Sequence, residues 1–296
     1  MEEHFRVAVI GLGMIGGSLA MALRGFRDAE IIGCDIDPKT RAAAEKSKVF
    51  SRVVGDPAEA IKDANLVVLC VYPEAILKIV QENRDAFRPG AVVTDVCGIK
   101  REVADGMVKL LPSGVDYVGG HPMAGTENSG FAYASAELFW MTGFIITPME
   151  NAKEESVALV AEMAHYIGAT RITAVDCKEH DRIIAYTSDL MHLAAAGLCL
   201  DFPHAMNRAY TAGAFRDCTR IAKINPKLWT ELFLSNRENV ILELDRYQNS
   251  LNRLRTAVET GDAAALSALL KTASENKEAM QRAEPEILYQ ENRKDR

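Results

Sequence analysis

The sequence predicts an α/β protein in two parts: a doubly wound, mainly parallel sheet over residues 1–174, then an all-α domain over residues 175–296. Three observations carry this prediction. Short, continuous apolar runs rich in β-branched residues alternate with amphipathic stretches through the first half. A glycine-rich loop joins the first of these runs to the first helical stretch. Beyond residue 175 the strand signals vanish, and long helical periods replace them. A length of 296 residues also suits two hydrophobic cores better than one.

The elements follow in order. Residues 6–10 (RVAVI) read as a strand and 16–24 as a helix; 30–35 (EIIGCD) as a strand and 38–47 as a helix. Residues 66–71 (LVVLCV) form a fully apolar strand, followed by a helix over 74–87. Strands follow at 91–96, 116–119 and 143–147, then a helix over 152–168 and an edge strand at 170–174. Runs that are apolar along their whole length suit strands covered by helices on both faces. In the second half, 178–200 reads as one helix. Asn225 is a cap with Pro226 at the first helical position, opening a helix that runs to about residue 260. Val240, Leu244, Tyr247, Leu251, Leu254 and Val258 recur along it at spacings of four and three. Gly261 and Asp262 break it, and a last helix runs to about residue 283. A stripe this long buries against another helix, so a dimerisation domain is expected, with an intramolecular bundle as the alternative.

Composition bounds the function. Hydrophobic content of 48% and charged content of 25% are ordinary for a globular chain. A net charge of −7 argues against nucleic acid or an anionic membrane as the main partner. The six cysteines make no C-x-x-C pair, which suits reduced thiols in a cytoplasmic protein, and no metal site is expected. Glu2 and Glu3 stand where a secretory signal would carry basic residues. The uncharged run 7–23 is 17 residues long, short of a bilayer span and interrupted by glycines.

Those glycines have a better use. Gly11-Leu12-Gly13-Met14-Ile15-Gly16 follows a strand directly and opens a helix. That is the context in which G-x-G-x-x-G binds a dinucleotide on a Rossmann-type domain. The first glycine allows the turn, the second lets the backbone approach the pyrophosphate, and the third lets helix and strand pack closely. Asp35 ends the second strand, 19 residues after Gly16, where its carboxylate can accept from the ribose hydroxyls and repel a ribose phosphate. With no arginine directly after it, NAD is expected rather than NADP. Val71, at the end of the third apolar strand, joins the expected cofactor contacts.

Three further segments carry chemistry. In Gly119–Glu127 (GGHPMAGTE), His121 is expected just past a strand end, with an ordinary pKa near 6.5 that suits a proton acceptor. Ser188 and His192 are four residues apart on one helical face. In the stretch 213–223 (GAFRDCTRIAK), an arginine could clamp a carboxylate through two parallel hydrogen bonds.

Together these segments resemble the prephenate/arogenate dehydrogenase family of tyrosine synthesis. The likeness runs through GLGMIGGSLA, TDVCGIK at 94–100, GGHPMAGTENSG at 119–130, EHD at 179–181, SDLMH at 188–192, GAFRDCTRIA at 213–222 and NPKLW at 225–229. It implies an NAD-dependent oxidative decarboxylation of prephenate to 4-hydroxyphenylpyruvate, with arogenate or dual specificity as the alternative. It further implies that His121 accepts the ring hydroxyl proton and Arg220 binds a carboxylate. Ser188, His192, Thr126 and His180 are then substrate-side residues, and Glu127, Arg216 and Asp217 an ionic network at the pocket mouth. The chain is expected to be the minimal two-domain form, without a fused chorismate mutase or an ACT-type domain, and to act as a homodimer.

Two departures stand out. Gly98 occupies a position where many members carry serine, so a water, Thr94 or another hydroxyl must substitute, or the contact is dispensable. Asp189 follows Ser188 where the family often has histidine; facing the pocket, it could pair with the amine of arogenate. Two further readings compete: a scaffold that binds NAD without catalysis, opposed by intact His121 and Arg220, and a hydroxyacid or imine reductase, which would lack the GGHPMAGTE loop.

Overall fold

The computed structural model describes residues 4–126, 128–201 and 207–283. Contacts divide the chain into two units. One holds residues 4–184 and 223–235, the other 185–222 and 236–283 among those described.

The first unit is built on an eight-stranded sheet. In chain order it carries β1 (Arg6–Ile10), α1 (Met14–Ala22), β2 (Glu30–Cys34), α2 (Pro38–Ser47), β3 (Arg52–Val54), α3 (Pro57–Ile61), β4 (Leu66–Leu69) and α4 (Pro73–Glu82). There follow β5 (Val92–Asp95), α5 (Arg101–Leu110), β6 (Asp116–Pro122), β7 (Gly143–Pro148), α6 (Glu154–Tyr166), β8 (Arg171–Ala174) and α7 (Cys177–Ile184). The strand order is β3-β2-β1-β4-β5-β6-β7-β8, parallel throughout except for the antiparallel pair β6/β7. The expected doubly wound, mainly parallel sheet is therefore present.

Alternation along each strand explains the two cores. Val7, Val9, Leu66 and Val68 share one cluster with Leu19 of α1 and Val160 of α6. Their neighbours Ala8, Ile10, Val67 and Leu69 share the other with Ile76 of α4 and Val103 of α5. Each strand thus buries both faces, which is why its sequence reads as a continuous apolar run. Ile10 pairs with Cys34 on one side and Leu69 on the other, so the loops after β1, β2 and β4 leave one edge together. The order reverses between β1 and β4, the position where doubly wound sheets hold ligands.

The structure corrects several local expectations. β6 runs to Pro122, because it pairs with β7 beyond the end of β5, and it places His121 opposite Ile145 inside the strand rather than past it. α4 stops at Glu82, and a short 3-10 turn covers Arg84–Ala86. β3, α3 and α5 were not anticipated: the first two are only three and five residues long, too short for a periodic pattern. The helix expected to run from Pro226 to about residue 260 is two helices, α10 (Pro226–Ser235) and α11 (Arg237–Glu259). Asn236 breaks it with φ −104°, ψ 21°, and its amide is buried in hydrogen bonds with Asp189 and Asn239. Leu232 of α10 is buried in the sheet unit, beside Leu228 and Trp229.

The second unit contains a π turn (Ala185–Asp189), α8 (Leu190–Leu200), α9 (Gly213–Thr219), a 3-10 turn (Arg220–Ala222), α11 and α12 (Ala263–Arg282). Gly261 ends α11 with φ +66°, and Asp262 caps α12 by accepting from the Ala265 N–H. The α11 stripe is only partly covered by the chain itself. Val240 is buried, whereas Tyr247, Leu251 and Val258 are exposed. The helical run Cys177–Leu200 is long and apolar enough to cross a bilayer by composition. Its buried His180, Asp181 and Asp189, however, bond to this chain's own groups.

Candidate active site

The glycine loop shows why each glycine is present. At Gly11 (φ +93°) an added Cβ would lie 2.5 Å from the Cys70 carbonyl oxygen and 2.6 Å from the Val71 side chain. At Gly16 it would lie 1.9 Å from the Gly11 oxygen. The protein itself demands these two. At Gly13 nothing lies within 4 Å, so the glycine there keeps room for something other than the protein. Gly13 caps α1 without a side-chain bond, leaving the first N–H groups of Met14 and Ile15 facing the same opening. A pyrophosphate fits this donor set.

Asp35 accepts from the Leu12 N–H and the Asp37 N–H, both at 2.8 Å, which fixes its carboxylate beside the loop. Ile36, next to it, is an apolar side chain 91% exposed. Arg41 folds back to donate to the Asp35 and Ile36 carbonyls, both at 2.9 Å. Val71 lies against Gly11, as the loop requires. Thr126 donates to the Met14 sulfur at 3.2 Å, so the GGHPMAGTE loop touches the cofactor helix. Glu127 lies outside the described residues.

His121 is half-buried, and its Nδ1 stands 2.9 Å from Nε2 of the fully buried His180. Burial drives the His121 pKa well below 6.5, and His180 and the Lys100 ammonium push the same way. His180 is also lowered, mainly by burial, against an opposing bond from its Nδ1 to Asp181 Oδ1 at 2.8 Å.

Sequence reasoning assigned no role to the cluster behind these histidines. Lys100 and Asp95 form an ion pair with both side chains fully buried, and the Tyr117 hydroxyl donates to Asp95 Oδ2 at 2.6 Å. Burial and the neighbouring Asp95 raise the Tyr117 pKa well above 10. An added Cβ at Gly119 would meet Thr147 Oγ1 at 2.2 Å and Lys100 Cδ at 3.1 Å, and one at Gly120 would meet the Asp95 backbone carbonyl oxygen at 2.7 Å. Gly119 therefore lets β6 pass against the Lys100 side chain, and Gly120 lets it pass against the β5 backbone at Asp95. The available signal was Asp95 itself, a carboxylate inside an apolar strand, with a lysine five residues on.

Folding costs pH sensitivity at the histidine pair. Below pH 6.5 the unfolded chain binds protons on His121 and His180 that the folded chain resists, so stability is expected to fall as pH drops from 6.5 toward the depressed folded values. Above 6.5 this pair adds no slope. Urea denaturation between pH 8 and 5 checks it: a midpoint that stays level across the window contradicts it.

In the second unit, Ser188 lies in the π turn and His192 in the first turn of α8, with His192 Nδ1 2.9 Å from the Ser188 carbonyl. That contact requires Nδ1 to carry the proton. His192 is lowered by burial and, to a lesser degree, by Arg220, which stands on the 3-10 turn packed against α8. The structure thus brings Ser188, His192 and Arg220 together. Arg216 and Asp217 are exposed on α9. Asp189 is buried and accepts from Asn236 Nδ2 at 3.0 Å. Thr94 is fully buried in β5, which removes it as the hydroxyl standing in at Gly98. A Cβ at Gly98 would meet the Leu232 side chain at 3.6 Å.

A doubly wound sheet, a glycine loop fitted to a dinucleotide and a histidine pair with one ring buried and one half-buried define an NAD-linked oxidoreductase. Residues 19–173 match the family model described as prephenate dehydrogenase, nucleotide-binding domain, and 176–272 match prephenate dehydrogenase, dimerization domain. The chain belongs to the prephenate dehydrogenase family. It is 31% identical over 281 residues to a prephenate dehydrogenase of Bacillus subtilis, covering 93% of this chain and 76% of that one. It is also 31% identical over 269 residues to a cyclohexadienyl dehydrogenase of Zymomonas mobilis, covering 88% and 91%. The solved prephenate dehydrogenase of Aquifex aeolicus, in complex with hydroxyphenyl propionate and NAD+, superposes with a TM-score of 0.84 at 27% identity, covering 93% of this chain and 98% of that chain.

Proposed function

We propose that this chain oxidises prephenate with NAD, releasing carbon dioxide and 4-hydroxyphenylpyruvate. The observation that carries the reading is His121, half-buried, kept neutral and bonded through Nδ1. A neutral imidazole held at one nitrogen offers the other to the substrate hydroxyl. Bound NAD supplies the hydride acceptor. His121 takes the hydroxyl proton as the carbinol carbon is oxidised, and loss of the ring carboxylate leaves its bonding electrons to complete the aromatic ring. Arg220 binds a substrate carboxylate, with Ser188, His192 and Thr126 on the substrate side and His180, buried and bonded at both ring nitrogens, behind His121 rather than against the substrate. Gly11, Leu12, Gly13, Met14, Ile15, Gly16, Asp35 and Val71 hold the dinucleotide. The functional division is at residue 174, with 1–174 binding NAD and 175–296 binding substrate and dimerising. The exposed Tyr247, Leu251 and Val258 of α11 support a homodimer through the C-terminal helices. A cytoplasmic location suits six cysteines that are all free.

Prephenate is preferred over arogenate because Asp189, the acid available for an amine on the Ser188 helix, is buried on Asn236. Steady-state kinetics with both substrates tests this, and a strong preference for arogenate overturns it. Arg220→Gln is expected to lower kcat/KM for prephenate about 5- to 150-fold, the effect of losing about 1–3 kcal/mol of charge-assisted binding. Unchanged kcat/KM in that variant removes the arginine from the site.

A further inference from the structure

We infer that Asp181 is a positioning residue that fixes, through His180, the tautomer in which His121 can accept a proton. The inference rests on the reading of His121 as the base. Asp181 lies one residue after His180 on α7, buried against the start of α5. Its Oδ1 accepts from the Lys100 N–H at 2.8 Å, and its Oδ2 accepts from the Arg101 N–H at 3.0 Å. A backbone N–H can only donate, so these two bonds hold the carboxylate as an acceptor at the N-terminal end of α5.

The remaining polarity then follows without choice. Asp181 Oδ1 is 2.8 Å from His180 Nδ1, so His180 carries its proton on Nδ1 and donates it. A neutral His180 with Nδ1 protonated has a lone pair on Nε2. His180 Nε2 is 2.9 Å from His121 Nδ1, so His121 must donate there and carry its own proton on Nδ1. That leaves Nε2 of His121 as the unprotonated nitrogen. The chain Asp181–His180–His121 thus turns one fixed carboxylate into a lone pair on His121 Nε2, two hydrogen bonds further along. It also gives the proton a place to be tolerated. When His121 takes the hydroxyl proton on Nε2, its charge is shared through His180 toward the carboxylate, with no proton leaving Nδ1. Reversing any link would put the proton on His121 Nε2 and remove the acceptor.

The test reads tautomers directly, by ¹⁵N NMR of protein labelled at histidine, with His121 and His180 assigned by single substitution. The wild-type protein should show both rings protonated on Nδ1 and bare on Nε2. Asp181→Ala should lose this single pattern at His121, and its kcat should fall at least about 10-fold, with KM for prephenate and NAD affinity within about 3-fold of wild type. His180→Gln, whose Oε1 can still accept from His121 Nδ1, should keep the His121 tautomer and hold kcat above that of Asp181→Ala. A wild-type His121 protonated on Nε2 overturns the inference, and that result needs no variant to fold. So does Asp181→Ala with an unchanged tautomer, whatever its turnover. Expected tautomers in a protein that does not oxidise prephenate would leave the relay standing and sink the assigned reaction instead.

Discussion

His121→Asn should lower kcat for prephenate by about 10²–10⁴-fold, roughly 3–5 kcal/mol of barrier, while NAD affinity stays within about 3-fold. Asparagine can still donate an N–H toward His180 Nε2, so the buried partner keeps a bond and the strand keeps its shape. What disappears is the basic nitrogen. The loss should therefore fall on kcat rather than on KM, because the missing interaction develops only as the proton moves. Fluorescence titration with NADH and steady-state rates with saturating prephenate separate the two quantities. Near-normal turnover in His121→Asn refutes the base assignment outright.

Lys100→Met should cost about 3–5 kcal/mol of stability, the usual effect of stripping the partner from a buried charge. Both Lys100 and Asp95 have side chains with no solvent exposure. Without the ammonium, the Asp95 carboxylate keeps only the Tyr117 hydroxyl and the Cys97 N–H among its described bonds, too few to replace water. For a protein of this size the melting temperature should drop by roughly 6–20 °C. The double variant Asp95→Asn/Lys100→Met should recover most of the loss, since the amide oxygen can accept from the Cys97 N–H while the amide nitrogen donates to the rotatable Tyr117 hydroxyl. Calorimetry of the wild type and both variants decides it. A single variant as stable as wild type, or a double variant no better than the single, counts against a buried ion pair that matters.

These two residues divide what could be read from the chain and what could not. His121 was legible because a histidine beside paired glycines and a proline has no packing reason to be there, and because the surrounding motif is specific. Lys100 was passed over because its significance lies in Asp95, Tyr117 and the close passage of Gly119, contacts spread over 24 positions of sequence. The strand at 6–10 and the helix at 38–47 were placed at their observed ends, since continuous apolar runs and an Asp-Pro cap are local signals. The helix expected past residue 235 was divided because Asn236 is held by Asp189, 47 positions earlier.

By itself the sequence determined the alternation of strands and helices, the glycine loop with Asp35 behind it, and the identity of the candidate base. Each is written in spacing, composition or a short motif, where the physics acts between near neighbours. Only the tertiary structure decided the antiparallel turn of the sheet at β6/β7, the burial of Asp95 with Lys100, and the alignment of Asp181 and His180 behind His121. Those depend on hydrogen bonds and desolvation between residues far apart along the chain, and no periodicity in a linear sequence records which distant side chains folding will bury together.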